Sequence, residues 1–145
     1  MADNTPPVKT LEGAALAFVD DNTRFGTLAT INPDGTPHLA VIWYKVRDDG
    51  SILVNSKVGR IWPTNLLRDP RCSIAIEAGM EWVVVRADAV EVLDRAQGVE
   101  DICSLAVWYE GDDEAGLETR FAAFRAQPRI SFHLVPRSIT VHLGE

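Results

Sequence analysis

Cysteine is scarce in this chain: Cys72 and Cys103 are the only two in 145 residues, too few and too far apart for a zinc cluster or a disulfide framework. Cys72 lies in an apolar run and Cys103 in a helical pattern, so both are expected as reduced, buried thiols. No apolar run approaches the roughly 18 residues of a membrane-crossing helix. Residues 1–10 are polar and contain proline, unlike the apolar centre of a secretory signal, so a cytoplasmic chain is expected. Positive charge is also in short supply. With 14 Lys and Arg against 21 Asp and Glu, the net charge of -7 repels a nucleic-acid backbone everywhere except at a local basic patch, while a small anionic ligand stays possible. G-x-S-x-G, H-E-x-x-H, paired catalytic carboxylates and a Cys/His nucleophile signature are all missing, an absence that binding proteins share.

What is present suffices for one core: 46% of the residues are hydrophobic. Residues 1–9 read as a flexible N-terminal arm and residues 10–145 as a single domain. Leu11, Ala14, Ala15, Phe18 and Val19 recur at helical spacing behind Thr10, a candidate N-cap. Arg24 to Ile31 and Pro37 to Arg47 read as strands around the turn Asn32-Pro33-Asp34-Gly35, and Asp48-Asp49-Gly50 turns the chain into a third strand, Ile52 to Asn55. These three predict an antiparallel meander.

A short helix over Trp62 to Leu67 follows, then strands Cys72 to Glu77 and Trp82 to Leu93. Asp94 and Gln97 form a candidate capping box for a helix running to about Tyr109. A second helix to about Ala126 should bury Leu117, Phe121 and Phe124. Ile130 to Val135 and Ile139 to Leu143 complete seven strands, separated by Pro136. Tight turns with late helices predict a mainly β fold, an antiparallel barrel with peripheral helices. No G-x-G-x-x-G follows the first strand, so a Rossmann dinucleotide site is not expected.

The most informative stretch is Val54-Asn55-Ser56-Lys57-Val58-Gly59-Arg60-Ile61-Trp62-Pro63, an apolar strand running through a basic turn into a helix. Amides at a helix start lack intrahelical partners and the helix dipole favours an anion there. Lys57 and Arg60 can each add a charge-assisted hydrogen bond of roughly 1.5–3 kcal/mol. Gly59 admits close backbone approach, and Pro63 suits the opening of a helix. The same residues also read as a plain strand-to-helix turn carrying solvated cations.

Taken together, Phe25-Gly26-Thr27-Leu28-Ala29-Thr30, Asn32 to His38, the Gly59 to Arg71 block and Ile130 to Pro136 resemble the split β-barrel flavin and deazaflavin oxidoreductases related to pyridoxamine 5′-phosphate oxidase. Asn65-Leu66-Leu67-Arg68-Asp69-Pro70-Arg71 is most similar to the branch using the deazaflavin coenzyme F-420. The resemblance implies an FMN-binding-protein-like split barrel and a homodimer whose cofactor lies between two barrels. It also implies hydride transfer to a small unsaturated substrate. The cofactor's phosphate-bearing tail would meet Ser56, Lys57, Gly59 and Arg60, with Asn55, Val58, Pro63 and Asn65 in the same block. The ring would lie against Val41 to Trp43, with His38 at the strand start and Trp62 over the ring or tail.

Relatives that bind FMN usually carry a basic residue where Ile61, Trp62 and Pro63 stand, so FMN is the alternative cofactor. No residues match those that would grip pyridoxal phosphate. Histidines His133 and His142 have no acidic or cysteine cluster nearby in sequence, so no metal site is expected. Trp82 and Trp108 read as core or interface residues. A non-enzymatic carrier of deazaflavin, flavin or a tetrapyrrole is the remaining alternative.

Overall fold

The computed structural model describes residues 9–144. The arm expected over residues 1–9 therefore lies outside the described residues except for Lys9, whose N–H donates to the Pro136 carbonyl at 3.2 Å. Helix α1 (Gly13–Val19) leads into strands β1 (Gly26–Ile31), β2 (Pro37–Ile42), β3 (Lys45–Val46) and β4 (Ile52–Lys57). Helix α2 (Ile61–Arg68), strands β5 (Arg71–Ala78) and β6 (Glu81–Glu91), helices α3 (Arg95–Glu110) and α4 (Glu114–Arg125), and strand β7 (Arg129–His142) follow. The seven strands form one antiparallel sheet in the order β2-β1-β5-β6-β7-β4-β3, curled round the core as a split barrel. One face of each long strand is buried at period two, as Leu28, Ile74, Ile76, Val83 and Val85 show.

The meander expected of the first three strands does not form. β1 pairs with β2, and β3 pairs with β4, but β2 and β3 stand at opposite edges of the sheet. The run Pro37 to Arg47 is thus two strands broken at Trp43 and Tyr44. Tyr44 causes the break: its ring is buried, its hydroxyl donates to the Val19 carbonyl at 2.6 Å, and its N–H donates to the Tyr109 hydroxyl at 3.2 Å. With its backbone hydrogen-bonded to a helix side chain, the segment leaves the ladder and carries the chain across the barrel. β4 pairs along its length with β7 instead.

The two closing strands are one. Pro136 pairs with Ala87 and Ser138 with Arg86, so Arg137 is an extra residue and the register shifts there. A bulge is where a strand tolerates a residue without an N–H.

Helix ends also differ from expectation. Glu12, not Thr10, occupies the N-cap of α1, and it makes no side-chain cap, because Leu11 is buried and holds the preceding backbone extended. The Asp94 carboxylate accepts from Ala96 N at 3.0 Å, but Gln97 turns outward to donate to Asp101 Oδ1 at 2.9 Å, so the box is half made. On α4, Leu117 is buried while Phe121 and Phe124 are half-buried. Cys72 is buried and its thiol is pushed up to about 12 by desolvation, whereas Cys103 is only half-buried. Both are free thiols.

Candidate functional site

The corner between the end of β4, the start of α2 and the α4–β7 turn carries three cations. Lys57 ends β4 opposite Arg129, the first residue of β7, and Val58 N–H donates to the Pro128 carbonyl at 2.9 Å, tying the basic turn to that strand. Gly59 has φ +96, a left-handed conformation, and a Cβ built on it would meet nothing within 4 Å, so its backbone faces open space. The turn closes with Arg60 N–H donating to the Lys57 carbonyl at 3.4 Å. Arg60 caps α2 with extended backbone and no side-chain cap. The first helical hydrogen bond runs from Thr64 N–H to the Arg60 carbonyl, so the amides of Ile61 and Trp62 precede the ladder and Pro63 has none to satisfy. Lys57 and Arg60 are exposed and, among the described residues, neither joins an ion pair.

Arg129 is the member that sequence reasoning missed. It is 6% exposed, its Nε donates to Asn55 Oδ1 at 3.1 Å and its Nη1 donates to Gln127 Oε1 at 2.9 Å. Its guanidinium lies 5.2 Å from the Phe124 ring centroid. Burial, and then the nearby Arg60 charge, bring its pKa down to about 10. No carboxylate pairs with it directly among the described residues. The available signal was the Pro128-Arg129 start of an alternating strand, but only the β4–β7 pairing places that residue beside Lys57.

The remaining expected site residues divide into two groups. Ser56 is 1% exposed, and its Oγ has no hydrogen-bond partner among the described residues. Standing between Asn55 and Lys57 on β4, it turns to the opposite face of the strand, toward Val54 and Ile130 of the core and away from the cations. Asn55 belongs to the structural group: its Nδ2 donates to the Gly98 carbonyl at 2.7 Å and to Ser131 Oγ at 2.8 Å. Trp62 is 5% exposed within the core, tilted on Phe132 at 6.2 Å, so its indole packs the barrel and does not cover the turn. Pro63 is buried, and Val58 is half-buried against the core. Asn65 donates to Thr30 Oγ1 at 3.1 Å and Asn32 Oδ1 at 3.0 Å, fastening α2 across the end of β1.

α2 also packs on β2, which brings that edge strand to the same side of the molecule. There His38 is half-buried opposite Thr30, and Val41 is 74% exposed. Trp43 stacks on Tyr109 with centroids 5.2 Å apart, and Arg120 lies 5.6 Å from its ring on the other helix. Trp43 therefore serves the packing of α3 and α4.

The outer face of the sheet is open. Leu39, at 65% exposed, lies across the ladder from Ala29, which is paired with Ser73, which in turn is paired with Arg86. A cleft of about 450 Å³ on this face is lined by Ala29, Pro37, Arg71, Ser73, Arg86 and Asp88 among others. It is separate from the basic turn. His142 stacks on Trp82 at 4.0 Å, and burial lowers the His133 pKa. Among the described residues no group of three His, Cys, Asp or Glu could hold a metal ion.

Comparison with known proteins agrees with this architecture. Residues 11–129 match the family model described as pyridoxamine 5′-phosphate oxidase. The conserved hypothetical protein Rv2991 of Mycobacterium tuberculosis is similar at 28% identity and TM-score 0.75, over 95% of this chain and 93% of that one. An F420 reductase is similar at 17% identity and TM-score 0.69, over 89% and 98% of the two chains. HutZ, a heme storage protein from Vibrio cholerae, is similar at 18% identity and TM-score 0.64, over 92% and 95%. At those last two identities the likeness is one of fold. No curated protein matches the sequence.

Proposed function

Because the chain belongs to the pyridoxamine 5′-phosphate oxidase family, we propose that it binds coenzyme F-420 and delivers hydride from the reduced cofactor to a small unsaturated organic substrate. The observation that carries this reading is the Lys57, Gly59 and Arg60 turn, cationic, without an ion-pair partner among the described residues and open at the Gly59 backbone. These groups suit the anionic tail of a large redox cofactor. The bound deazaflavin would supply the hydride chemistry, and the protein would supply binding and orientation.

In that role the open backbone at Gly59 allows close approach, and Lys57 and Arg60 neutralise charge. The ring would lie toward β2, where Val41 is exposed, while Trp43 and Trp62 stay committed to packing. The exposed Leu39 and Val41, continued by the small residues Ala29 and Ser73, suit a homodimer built on the outer sheet face. Such a seam would exclude water from one side of the ring and bring a second chain to the substrate.

Fluorescence titration with coenzyme F-420 tests the reading, with Lys57→Ala and Arg60→Ala in parallel. Micromolar or tighter binding is expected, weakened about tenfold or more by each change. Absence of binding, or full affinity in the double variant, overturns it. FMN is the second reading for the same corner, supported by the family's split barrel, and a yellow purified protein with a flavin spectrum would establish it. A carrier role is supported by the heme storage protein of like fold. Cofactor binding without turnover of enones, quinones or tetrapyrroles would favour that role.

A further inference from the structure

Arg129 differs from the other cations of this corner in being buried, and a directional chain of hydrogen bonds fixes it in place. The Asp101 carboxylate on α3 accepts from Ser131 Oγ at 2.7 Å. Ser131 Oγ accepts from Asn55 Nδ2 at 2.8 Å, and Asn55 Oδ1 accepts from Arg129 Nε at 3.1 Å. Each step leaves the next no choice. The Ser131 proton goes to the carboxylate, so its oxygen accepts. The Asn55 amide nitrogen is committed to that oxygen and to the Gly98 carbonyl, so its own oxygen must face the arginine.

Asp101 is thus linked to the guanidinium through two neutral side chains without touching it. Nε and Nη1 are both engaged, which leaves Nη2 without a partner among the described residues, on a side chain that the nearby Arg60 charge repels and that lies across the ladder from Lys57. Three positive groups meeting without a direct carboxylate are most stable when an anion joins them. A carboxylate in van der Waals contact with Arg129 would satisfy it more fully than the relay does, yet would also remove its need for a ligand.

We propose that Arg129 is the buried hook of this corner for a phosphate-type anion, and that Asn55 is a positioning residue that aims it through the Ser131–Asp101 relay. This rests on reading the corner as an anion site, which the proposed cofactor shares, but it assigns the recognition to a residue outside the basic turn. The ligand chemistry is a phosphomonoester, phosphodiester or pyrophosphate group, whose oxygens can accept from Nη2.

The test uses the full chain in chloride buffer, with inorganic pyrophosphate as probe and thermal unfolding as readout. Pyrophosphate is expected to raise the melting temperature of the wild type in a saturable way. Arg129→Gln should weaken the fitted affinity about tenfold or more, and Arg129→Lys should restore part of it, because charge returns without the aimed Nη2 donors. Asn55→Asp places a carboxylate against Arg129. It also sets an oxygen against the Gly98 carbonyl where Nδ2 donates, so its fold is checked by circular dichroism. Gln127→Glu, which puts a carboxylate on Arg129 Nη1 at a half-buried acceptor, should lose pyrophosphate affinity about tenfold or more. That variant keeps the test decisive if Arg129→Gln or Asn55→Asp fails to fold.

A wild type indifferent to pyrophosphate, or affinities within twofold of it in Arg129→Gln or Gln127→Glu, overturns the proposal. Coenzyme F-420 and FMN are titrated in the same set. Pyrophosphate binding that depends on Arg129 with neither cofactor bound would sink the cofactor reading and leave the hook standing. Cofactor bound equally well by Arg129→Gln would do the reverse.

Discussion

Lys57 and Arg129 are direct cross-strand partners at the end of the β4–β7 ladder, two positive charges in a position where opposite charges would stabilise the sheet. Asn55, two residues back on the same face of β4, uses its carbonyl to hold the arginine there. Like charges directly across a ladder do not stabilise it.

Lys57→Glu converts this repulsion into an attraction. Stability is expected to rise by about 0.2–1 kcal/mol in urea unfolding, the range of cross-strand ion pairs. Anion affinity in the same variant should collapse. If Lys57→Glu destabilised the chain, the repulsion between these two residues would not be a feature of the folded state.

Gly98 interrupts the first turns of α3, where alanine would ordinarily stabilise a helix by about 1 kcal/mol. Here a Cβ would sit 3.0 Å from the Arg129 carbonyl oxygen and 3.1 Å from its carbonyl carbon. That backbone is held on one side by the β4 ladder, and the Gly98 carbonyl is itself the acceptor for Asn55. Gly98→Ala is therefore expected to destabilise by about 1–3 kcal/mol despite its helix propensity, as overpacking does. Chemical denaturation measures it directly, and a stabilised variant would show that α3 can move off β7.

Four aspartates share one device. Asp21, Asp34, Asp49 and Asp69 each accept from the backbone N–H of the residue two positions on, and the side chains of Thr23, Thr36, Ser51 and Arg71 donate to the same carboxylates. These hydrogen bonds hold all four pKa values down, Asp69 to about 2. Folded-state values below the unfolded ones mean that the stabilisation is complete above about pH 4. It is lost as pH falls through the folded-state values toward pH 2. Asp34 and Asp49 are exposed and Asp21 and Asp69 half-exposed, so each contributes modestly. Acid unfolding followed by circular dichroism should be displaced to higher pH in Asp69→Asn, and carboxyl NMR titration should report the lowered values.

Much of the molecule was legible in one dimension because it depends on local pattern. Alternation located the strands, Asn32-Pro33-Asp34-Gly35 and Asp48-Asp49-Gly50 located the turns, and the basic residues of Lys57 to Arg60 marked a cationic strand-to-helix corner. Pairing was not legible. The stretch Pro37 to Arg47 has unbroken strand propensity, and what breaks it is a hydroxyl of Tyr109, 65 positions away from Tyr44 in the chain. Trp62 was expected over the cofactor ring or tail because it stands inside the basic turn, yet helical geometry turns it toward Phe132 and the core.

The order of elements, the capacity to form one core and the presence of cations near residue 57 were thus set by the sequence alone, since each follows from composition and from contacts between near neighbours. Which strands lie side by side, and hence that Arg129 joins Lys57 and Arg60 while Asn55 turns inward to aim it, was decided only on folding. Cross-sheet pairing brings together residues more than 70 positions apart, and no local periodicity encodes such a meeting.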